Sequence, residues 1–305
     1  MPTISVILPV YNGAKYLKEA LESILEQSFS DFELIIINDG STDQSEKIIE
    51  SFTDPRIVYI KNPENLGLAK SFNIGIKAAK GAYIARMDAD DVSLSHRFAS
   101  QVEYLKSHPE AGVIGTAVTL MDGEDRTHKK HFKPLTHLKI KWQSLFSVPV
   151  FHPTVMARAE VLKENLFDES LFNSEDYELW SRLIFDKGVC FANLSQPLLF
   201  YRVFKHSFTR SLDPEKRLAS ARNSIKNIER YKSLSEKQKK LIESWRLEEK
   251  LSFSDLARIY YLYLGALFAF RRKEKLSFNA FMSLYLTMPR FKLSLLKHKI
   301  KQILR

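Results

Sequence analysis

Cysteine is nearly absent from this chain: Cys190 is the only one among 305 residues. An internal disulfide is therefore excluded, and no thiol cluster exists for zinc or an iron–sulfur centre. The lone thiol reads as an inert buried residue in a reducing compartment. Long apolar runs are missing as well. The uncharged stretches Ile259 to Phe270 and Leu276 to Pro289 fall short of the roughly 18 to 20 apolar residues that a spanning helix needs, so no transmembrane anchor is expected. The opening MPTISVILPVYNG has no basic leader, and its short β-branched run, closed by Pro9, reads as a first strand rather than a signal peptide. A cytoplasmic protein is expected. Two nucleotide motifs are also lacking. No Gly-x-Gly-x-x-Gly follows the first strand and no Gly-x-x-x-x-Gly-Lys-Ser/Thr occurs anywhere, which disfavours a dinucleotide dehydrogenase or a P-loop enzyme.

What is present is enough apolar side chain, 45% of the chain, to bury a substantial core in one large domain or two of moderate size. Charge is unevenly spread. Residues 1 to 204 hold 22 basic and 27 acidic side chains, whereas residues 205 to 305 hold 24 and 9. The two parts therefore face different partners. After Glu274 no acidic residue follows, while Lys275, Arg290, Lys292, Lys297, Lys299, Lys301 and Arg305 are set among Leu, Ile and Phe. Such a segment points to an anionic surface, either membrane or nucleic acid.

Apolar β-rich runs alternate with amphipathic ones from the start. TISVILP, ELIIIND, RIVYI and AYIARMD read as strands, and Lys15 to Gln27, Asp43 to Phe52, Gly67 to Ala79 and Leu94 to His108 as helices between them. This order predicts an α/β fold with a mainly parallel sheet flanked by helices. Asp43 and Glu46 have capping-box spacing ahead of Ile48, Ile49 and Phe52. From about Gly112 to Phe204 the pattern is mixed, with GVIGTAVTLM, PTVMAR and PLLFYRVF as short strands and Ser174 to Asp186 as a helix. Beyond Ser211 it is helical: Pro214 to Tyr231, Ser235 to Leu251 with a capping box at Ser235 and Gln238, and Ser254 to Phe270. A boundary is expected near residues 205 to 213, giving domains 1–210 and 211–305.

Ligands of a parallel α/β sheet bind at the carboxyl ends of its strands. Three such ends carry polar groups here: Pro9-Val10-Tyr11-Asn12, Asn38-Asp39-Gly40 and Asp88-Ala89-Asp90-Asp91. Asp88 and Asp90 are two apart, so on an extended backbone they point to the same side. Like charges that close repel unless a cation sits beside them. Carboxylate oxygens suit Mg²⁺ or Mn²⁺, which complete their octahedron with water and substrate phosphates. A metal diphosphate site is one reading; a helix cap or solvated acidic turn is the other.

Four segments, ISVILPVYNGAKYLKEALESILEQSFSDFELIIINDGSTDQS, NLGLAKSFNIGIKAAKGAYIARMDADD, FHPTVMAR and SEDYELWSRL, follow one another in an order that resembles glycosyltransferase family 2, the inverting enzymes of GT-A fold. The resemblance covers roughly residues 3 to 210. It implies a nucleoside-diphosphate sugar donor, uridine by preference, and a divalent metal ion, Mn²⁺ or Mg²⁺, as cofactor. Pro9, Tyr11, Asn12, Asp39, Asn65 and Asp88 match positions around the nucleotide, with the Tyr11 ring against uracil, Asp39 accepting its N3 hydrogen and Asp88 near the ribose. Asp90 matches the metal ligand and Asp176 the catalytic base. Lys70, Asp91, His152, Glu175, Arg202 and His206 are candidates for diphosphate, donor-sugar or acceptor contacts. Among them Arg202 and His206 would close over the diphosphate, and Lys70 would replace an arginine frequent in relatives where this chain has Ser71-Phe72-Asn73. His152 would stand on the acceptor side or be a structural histidine. The Gln-x-x-Arg-Trp signature of processive members is missing, so one sugar is transferred per binding event. The implied acceptor is a hydroxyl of a glycan or lipid-linked molecule, as in cell-surface polysaccharide synthesis.

Local sequence adds a second line for Asp176. Asn173 or Ser174 reads as an N-cap, placing Glu175 and Asp176 in a helix's first turn with Leu179, Trp180 and Leu183 on its buried side. Two acids there also simply complement the helix dipole. Residues 211 to 305 match no family motif. Trp245, Tyr260, Tyr261, Phe268 and Phe278 interleave with Arg and Lys, which reads as a helical unit on an anionic membrane surface, or as a bundle packed on the catalytic domain or forming a homodimer. Two other function classes stay open: a sugar nucleotidyltransferase, which would release pyrophosphate, and a basic nucleic-acid-binding module. The tail lacks a stacking platform or groove-reading motif, so a nucleic-acid partner is not expected.

Overall fold

The computed structural model describes residues 1–123, 125–171, 173–203, 213–249 and 251–287. Strand and helix alternate at first: β1 (Ile4–Val10), α1 (Ala14–Leu25), β2 (Phe32–Asn38), α2 (Ser45–Glu50), β3 (Ile57–Lys61), α3 (Leu68–Ala78) and β4 (Tyr83–Arg86). The mixed stretch follows with β5 (Val92–Ser93), α4 (Arg97–Ser107), β6 (Ala111–Asp122), β7 (Asp125–His131) and α5 (His137–Gln143). After one 3₁₀ turn at His152–Thr154 come β8 (Met156–Arg158), α6 (Ala159–Lys163), α7 (Glu175–Phe185) and β9 (Cys190–Val203). Helices α8 (Pro214–Glu229), α9 (Glu236–Arg246), α10 (Phe253–Lys273) and α11 (Phe278–Thr287) complete the described chain.

The strands form one sheet in the order β3-β2-β1-β4-β8-β6-β9-β5, with β7 paired to β6. Strands β1 to β4 are parallel, β8 is antiparallel to both β4 and β6, and β6 and β9 run parallel over the longest ladder. Every residue of β1 and β2 is buried, as expected of parallel strands covered by helices on both faces. Alternate side chains serve alternate faces. Ile4, Val6 and Leu8 pack with Leu17 and Leu21 of α1 and Phe98 of α4, whereas Ile7 packs with Phe72 and Ile76 of α3 and Leu179, Trp180 and Leu183 of α7. Each such aliphatic side chain contributes about 1.5–3 kcal/mol on burial. Helix α3 lies close on the sheet because Gly75 has no side chain: a Cβ there would stand 2.6 Å from Ile7 Cγ2.

Three sequence expectations change. The capping box at Asp43 and Glu46 does not form. Asp43 Oδ1 accepts from Ser45 N at 2.9 Å and Oδ2 from Ala14 N at 3.0 Å, tying the starts of α1 and α2 together, while Glu46 is drawn away to Lys61 Nζ at 2.6 Å. Helix α2 therefore begins at Ser45. Strand β9 starts seven residues before PLLFYRVF, at Cys190, and absorbs Pro197 at a register irregularity against β6. Strands β5 and β7 were not anticipated.

The chain divides into two units, one of Met1–Ile140 and Val148–Ser211, the other of Lys141–Ser147 and Leu212–Arg305. Most of the expected boundary, residues 205 to 213, lies outside the described residues. In the second unit Trp142 and Phe146 pack edge-on, and Phe146 stacks on Tyr263 of α10 with centroids 3.8 Å apart. The carbonyls of Ser144 and Leu145 accept from Asn227 and Ser224 of α8, and Glu274 accepts from Lys141 at 2.8 Å and Tyr231 at 2.6 Å. The capping box of Ser235 and Gln238 is present. Among the described residues no helix is long and apolar enough to cross a membrane.

Candidate active site

Because β1, β2 and β4 are parallel, their carboxyl ends share one edge of the sheet. At the end of β1, Pro9 is buried and Tyr11 is 51% exposed. Asn12, at φ 49°, stitches this loop to the next: its Oδ1 accepts from Thr42 N at 2.8 Å, and its own N–H donates to Ser41 Oγ. At the end of β2 the Asp39 carboxylate is buried and organises the following loop, accepting from Asn62 Nδ2 at 2.8 Å, Leu66 N at 2.9 Å and Gly67 N at 3.0 Å. Three of its roughly four acceptor directions are thus in use. Gly40 permits this approach, since at φ 70° a Cβ would lie 2.5 Å from the Glu64 carbonyl carbon. Asn65 is exposed in the same loop, its Oδ1 accepting from Gly67 N. Lys70 is exposed in the first turn of α3.

Asp88, Asp90 and Asp91 have ligand atoms within 4.8 Å of one another. The two-residue strand β5 follows them at once and pairs with Leu199 and Phe200 of β9, which carries Arg202 up to the cluster. Arg202 N donates to Asp91 Oδ1 at 2.8 Å and its Nε to the Asp90 carbonyl at 2.6 Å. The guanidinium also bonds Gly123 O and Glu19 Oε2 and lies 4.0 Å from the Tyr16 ring centroid. From the other side Arg86 pairs with Asp88, and the fully buried Arg97 donates to the Arg86 carbonyl at 2.6 Å and to Gln101. Burial, then the charge of Asp88, raises the Asp90 carboxyl to about 6. Asp91 is pushed well above its ordinary range by burial and then by both neighbours, and burial brings Arg97 down to about 9. Three carboxylates thus meet three guanidinium groups, yet Asp90 and Asp91 are still raised.

Arg202, expected to close over the diphosphate, has a side chain with no exposed surface whose donors face protein acceptors, so in this structure it ties down the backbone of the acidic turn. His206 lies outside the described residues. Arg86 and Arg97 went unnoticed in the sequence, although an arginine inside the apolar run YIARMD is a signal that a buried charge needs a partner.

Asp176 occupies the first turn of α7, behind Ser174 as N-cap and Asn173 at φ 74°. It is half-buried, with Oδ1 accepting from Tyr177 N at 2.7 Å, and Glu175 is buried beside it. Lys133, also missed in the sequence, donates to Val148 O at 2.7 Å. Burial lowers its ammonium to about 8, against the opposing pull of Asp176. His152 is placed within packing: its ring is 5.4 Å from Trp180 and 5.8 Å from both Phe72 and Phe167. Among the described residues both ring nitrogens are buried without a hydrogen-bond partner. Burial, then Arg86, holds its pKa well below the ordinary value. Arg86 stacks 4.4 Å from Phe72 and lines the same small cavity as His152 and Trp180. A contiguous set of contacts therefore runs from Asp88 to the helix bearing Asp176.

Residues 5–166 match the model for glycosyl transferase family 2. The chain belongs to that family. Over 208 residues it is 36% identical to an uncharacterized glycosyltransferase of Methanocaldococcus jannaschii, covering 66% of this chain and 71% of the relative. It is also 36% identical over 211 residues to the O-antigen biosynthesis glycosyltransferase WbnJ of Escherichia coli, covering 68% and 82%. The structure of S. aureus TarS 1-349 in complex with UDP-GlcNAc superposes with a TM-score of 0.59 at 22% identity, over 88% of this chain and 80% of that one. The fold is the GT-A fold. In this family 2 chain the acidic turn fits a hard divalent cation. Its donors are all oxygen, and among the described residues Asp91 Oδ2 is buried without a hydrogen-bond donor.

Proposed function

We propose that this family 2 chain transfers one sugar from a nucleoside-diphosphate sugar, UDP-linked, to a hydroxyl of a glycan or lipid-linked acceptor, with inversion at the anomeric carbon. The observation that carries the reading is the acidic turn of half-buried Asp88 and Asp90 and buried Asp91, on the sheet edge that also presents Tyr11 and Asp39. Tyr11 offers its exposed ring to the base. Asp39 uses its remaining acceptor direction for the base N–H, with Pro9, Asn12 and Asn65 shaping that pocket. Asp88 faces the ribose. Asp90 holds Mn²⁺ or Mg²⁺ with Asp91 behind it, and a bound ion supplies neutralisation of charge on the departing diphosphate. Lys70, exposed at the start of α3, approaches the diphosphate. Asp176 accepts the proton of the acceptor hydroxyl as the new C–O bond forms and the bond from the anomeric carbon to the diphosphate oxygen breaks. Glu175 supports that turn.

The name of WbnJ and the UDP-GlcNAc bound in the TarS complex support a role in polysaccharide assembly and a uridine donor. The basic C-terminal region supports a position on the anionic inner face of the cytoplasmic membrane. Calorimetric titration with UDP, GDP and dTDP, with and without Mn²⁺ or Mg²⁺, on wild type and Asp90→Ala tests the donor site. Metal-dependent binding of UDP that vanishes in the variant is expected. No binding of any diphosphate with either metal would sink the reading, and NMR of a product with retained configuration would sink the single displacement.

A further inference from the structure

The second unit carries a groove of about 690 Å³ between α9 and α10, within the size range of small-molecule sites. Its lining is of two kinds. Leu241, Leu251 and Leu262 make an apolar wall, and Lys232, Lys237, Lys240 and Arg258 contribute four cations. Glu249 and Asp255 are also present, but Asp255 is engaged by Arg258 at 3.0 Å and by the Ser252 hydroxyl at 2.6 Å. Among the described residues no carboxylate pairs with Lys232, Lys237 or Lys240. Lys232 reaches inward: its ammonium rests against Gly265 of α10, where any Cβ would collide with it. A glycine inside a helix costs about 1 kcal/mol relative to alanine, and here it leaves a notch that an ammonium fills. Tyr261, in the lining of the groove, is 69% exposed, and Phe268, two turns further along the same face of α10, is 57% exposed.

We propose that this groove binds the phosphate headgroup of an anionic lipid at a membrane surface. The phosphate oxygens accept from Lys232, Lys237 and Lys240, the first acyl carbons run along the leucine wall, and Tyr261 and Phe268 enter the interface. The charge complementarity selects a phosphate, and the leucine wall and exposed rings select one that carries an apolar chain. The inference deepens the membrane reading above and is independent of the donor site.

Co-sedimentation of the full chain with vesicles of phosphatidylcholine, alone or containing phosphatidic acid, tests it. Binding is expected only with phosphatidic acid present. Lys232→Ser/Lys240→Ser is expected to weaken binding about thirty-fold, each lysine near the surface contributing about 1 kcal/mol. Arg222→Ser/Lys226→Ser removes the same charge from exposed positions of α8 outside the groove and is expected to leave binding nearly unchanged. Gly265→Ala evicts the Lys232 ammonium without altering net charge or weakening the helix, and is expected to weaken binding as well. Equal losses in the two double variants, or full binding by the groove double variant, would overturn the site. Binding to phosphatidylcholine vesicles alone as tight as to those containing phosphatidic acid would overturn the phosphate headgroup as occupant. UDP titration of the same preparation keeps the readings apart: vesicle binding without nucleotide binding sinks the donor reading alone, and nucleotide binding without vesicle binding sinks this one.

Discussion

Replacing Asp90 by asparagine keeps the size of the side chain and removes its charge. In the folded chain burial, then Asp88, lifts the Asp90 carboxyl from 3.8 to about 6. A raised carboxyl means that the folded state holds the proton more tightly than the unfolded state, so stability present below pH about 4 is lost as pH rises through about 6. A shift of about two units corresponds to ~3 kcal/mol. Asp91, raised by burial and by its neighbours, shares that loss, which therefore belongs to the pair. Asparagine carries no such loss. In the absence of divalent cations Asp90→Asn is therefore expected to exceed wild type by up to ~3 kcal/mol at neutral pH and to lose that advantage by pH about 4. Mn²⁺ at a thousand times its Kd should reverse the order, because it adds about 4.1 kcal/mol to the form that binds it and the variant gains none. Thermal unfolding followed by tryptophan fluorescence across this pH range, in EDTA or in MnCl₂, reads both effects. The reasoning is refuted by a variant less stable than wild type in EDTA at neutral pH, or by a difference between the two that does not change with pH.

Asp176→Asn is expected to leave UDP titration unchanged while lowering turnover by about 10²–10⁴-fold, measured as nucleoside-diphosphate release. Arg202→Met removes the bonds to the Asp90 and Gly123 carbonyls and to Glu19 together. It is expected to cost about 3 kcal/mol in urea denaturation, and an unchanged midpoint would contradict the role given to it. Gly75→Ala brings a Cβ to 2.6 Å from Ile7 Cγ2, so a loss of about 1–3 kcal/mol is expected despite alanine's better helix propensity. A gain would show that α3 can ride away from the sheet.

The parallel half of the sheet was legible because β1 and β2 are buried on both faces, so their apolar runs are unbroken and stand out from the amphipathic helices between them. The acidic turn was legible for the same reason: charge follows directly on a buried strand. What balances that charge was not. Arg97 reaches it from the next helix and Arg202 from a strand far along the chain, and neither partnership leaves a local pattern. Helix starts show the same limit. The Ser235 box closes within four residues and could be read, but α4 has no side-chain cap of its own, and its Phe98 N–H donates to Gln27 Oε1, 71 residues away. The Asp43 spacing suggested a local box, and a longer-range demand, the free amide of Ala14, took the carboxylate instead. His152 could not be assigned from its motif because burial of both ring nitrogens depends on aromatic residues from α3 and α7. Residues 141–147 belong with the helical unit through Trp142 and Phe146, contacts that no periodicity announces.

The bond from the Arg202 amide to Asp91 spans 111 residues, and that separation is also an interval of time. A ribosome adding about 5–20 residues per second needs roughly 6 to 20 seconds to proceed from the aspartate to the arginine. Through that interval, of the three guanidinium groups described around the acidic turn, the nascent chain has Arg86 and Arg97. The last strand of the sheet is therefore also the last counter-charge, and a chain that stalls or is cleaved before residue 202 is left with a sheet edge whose net charge opposes its own closure.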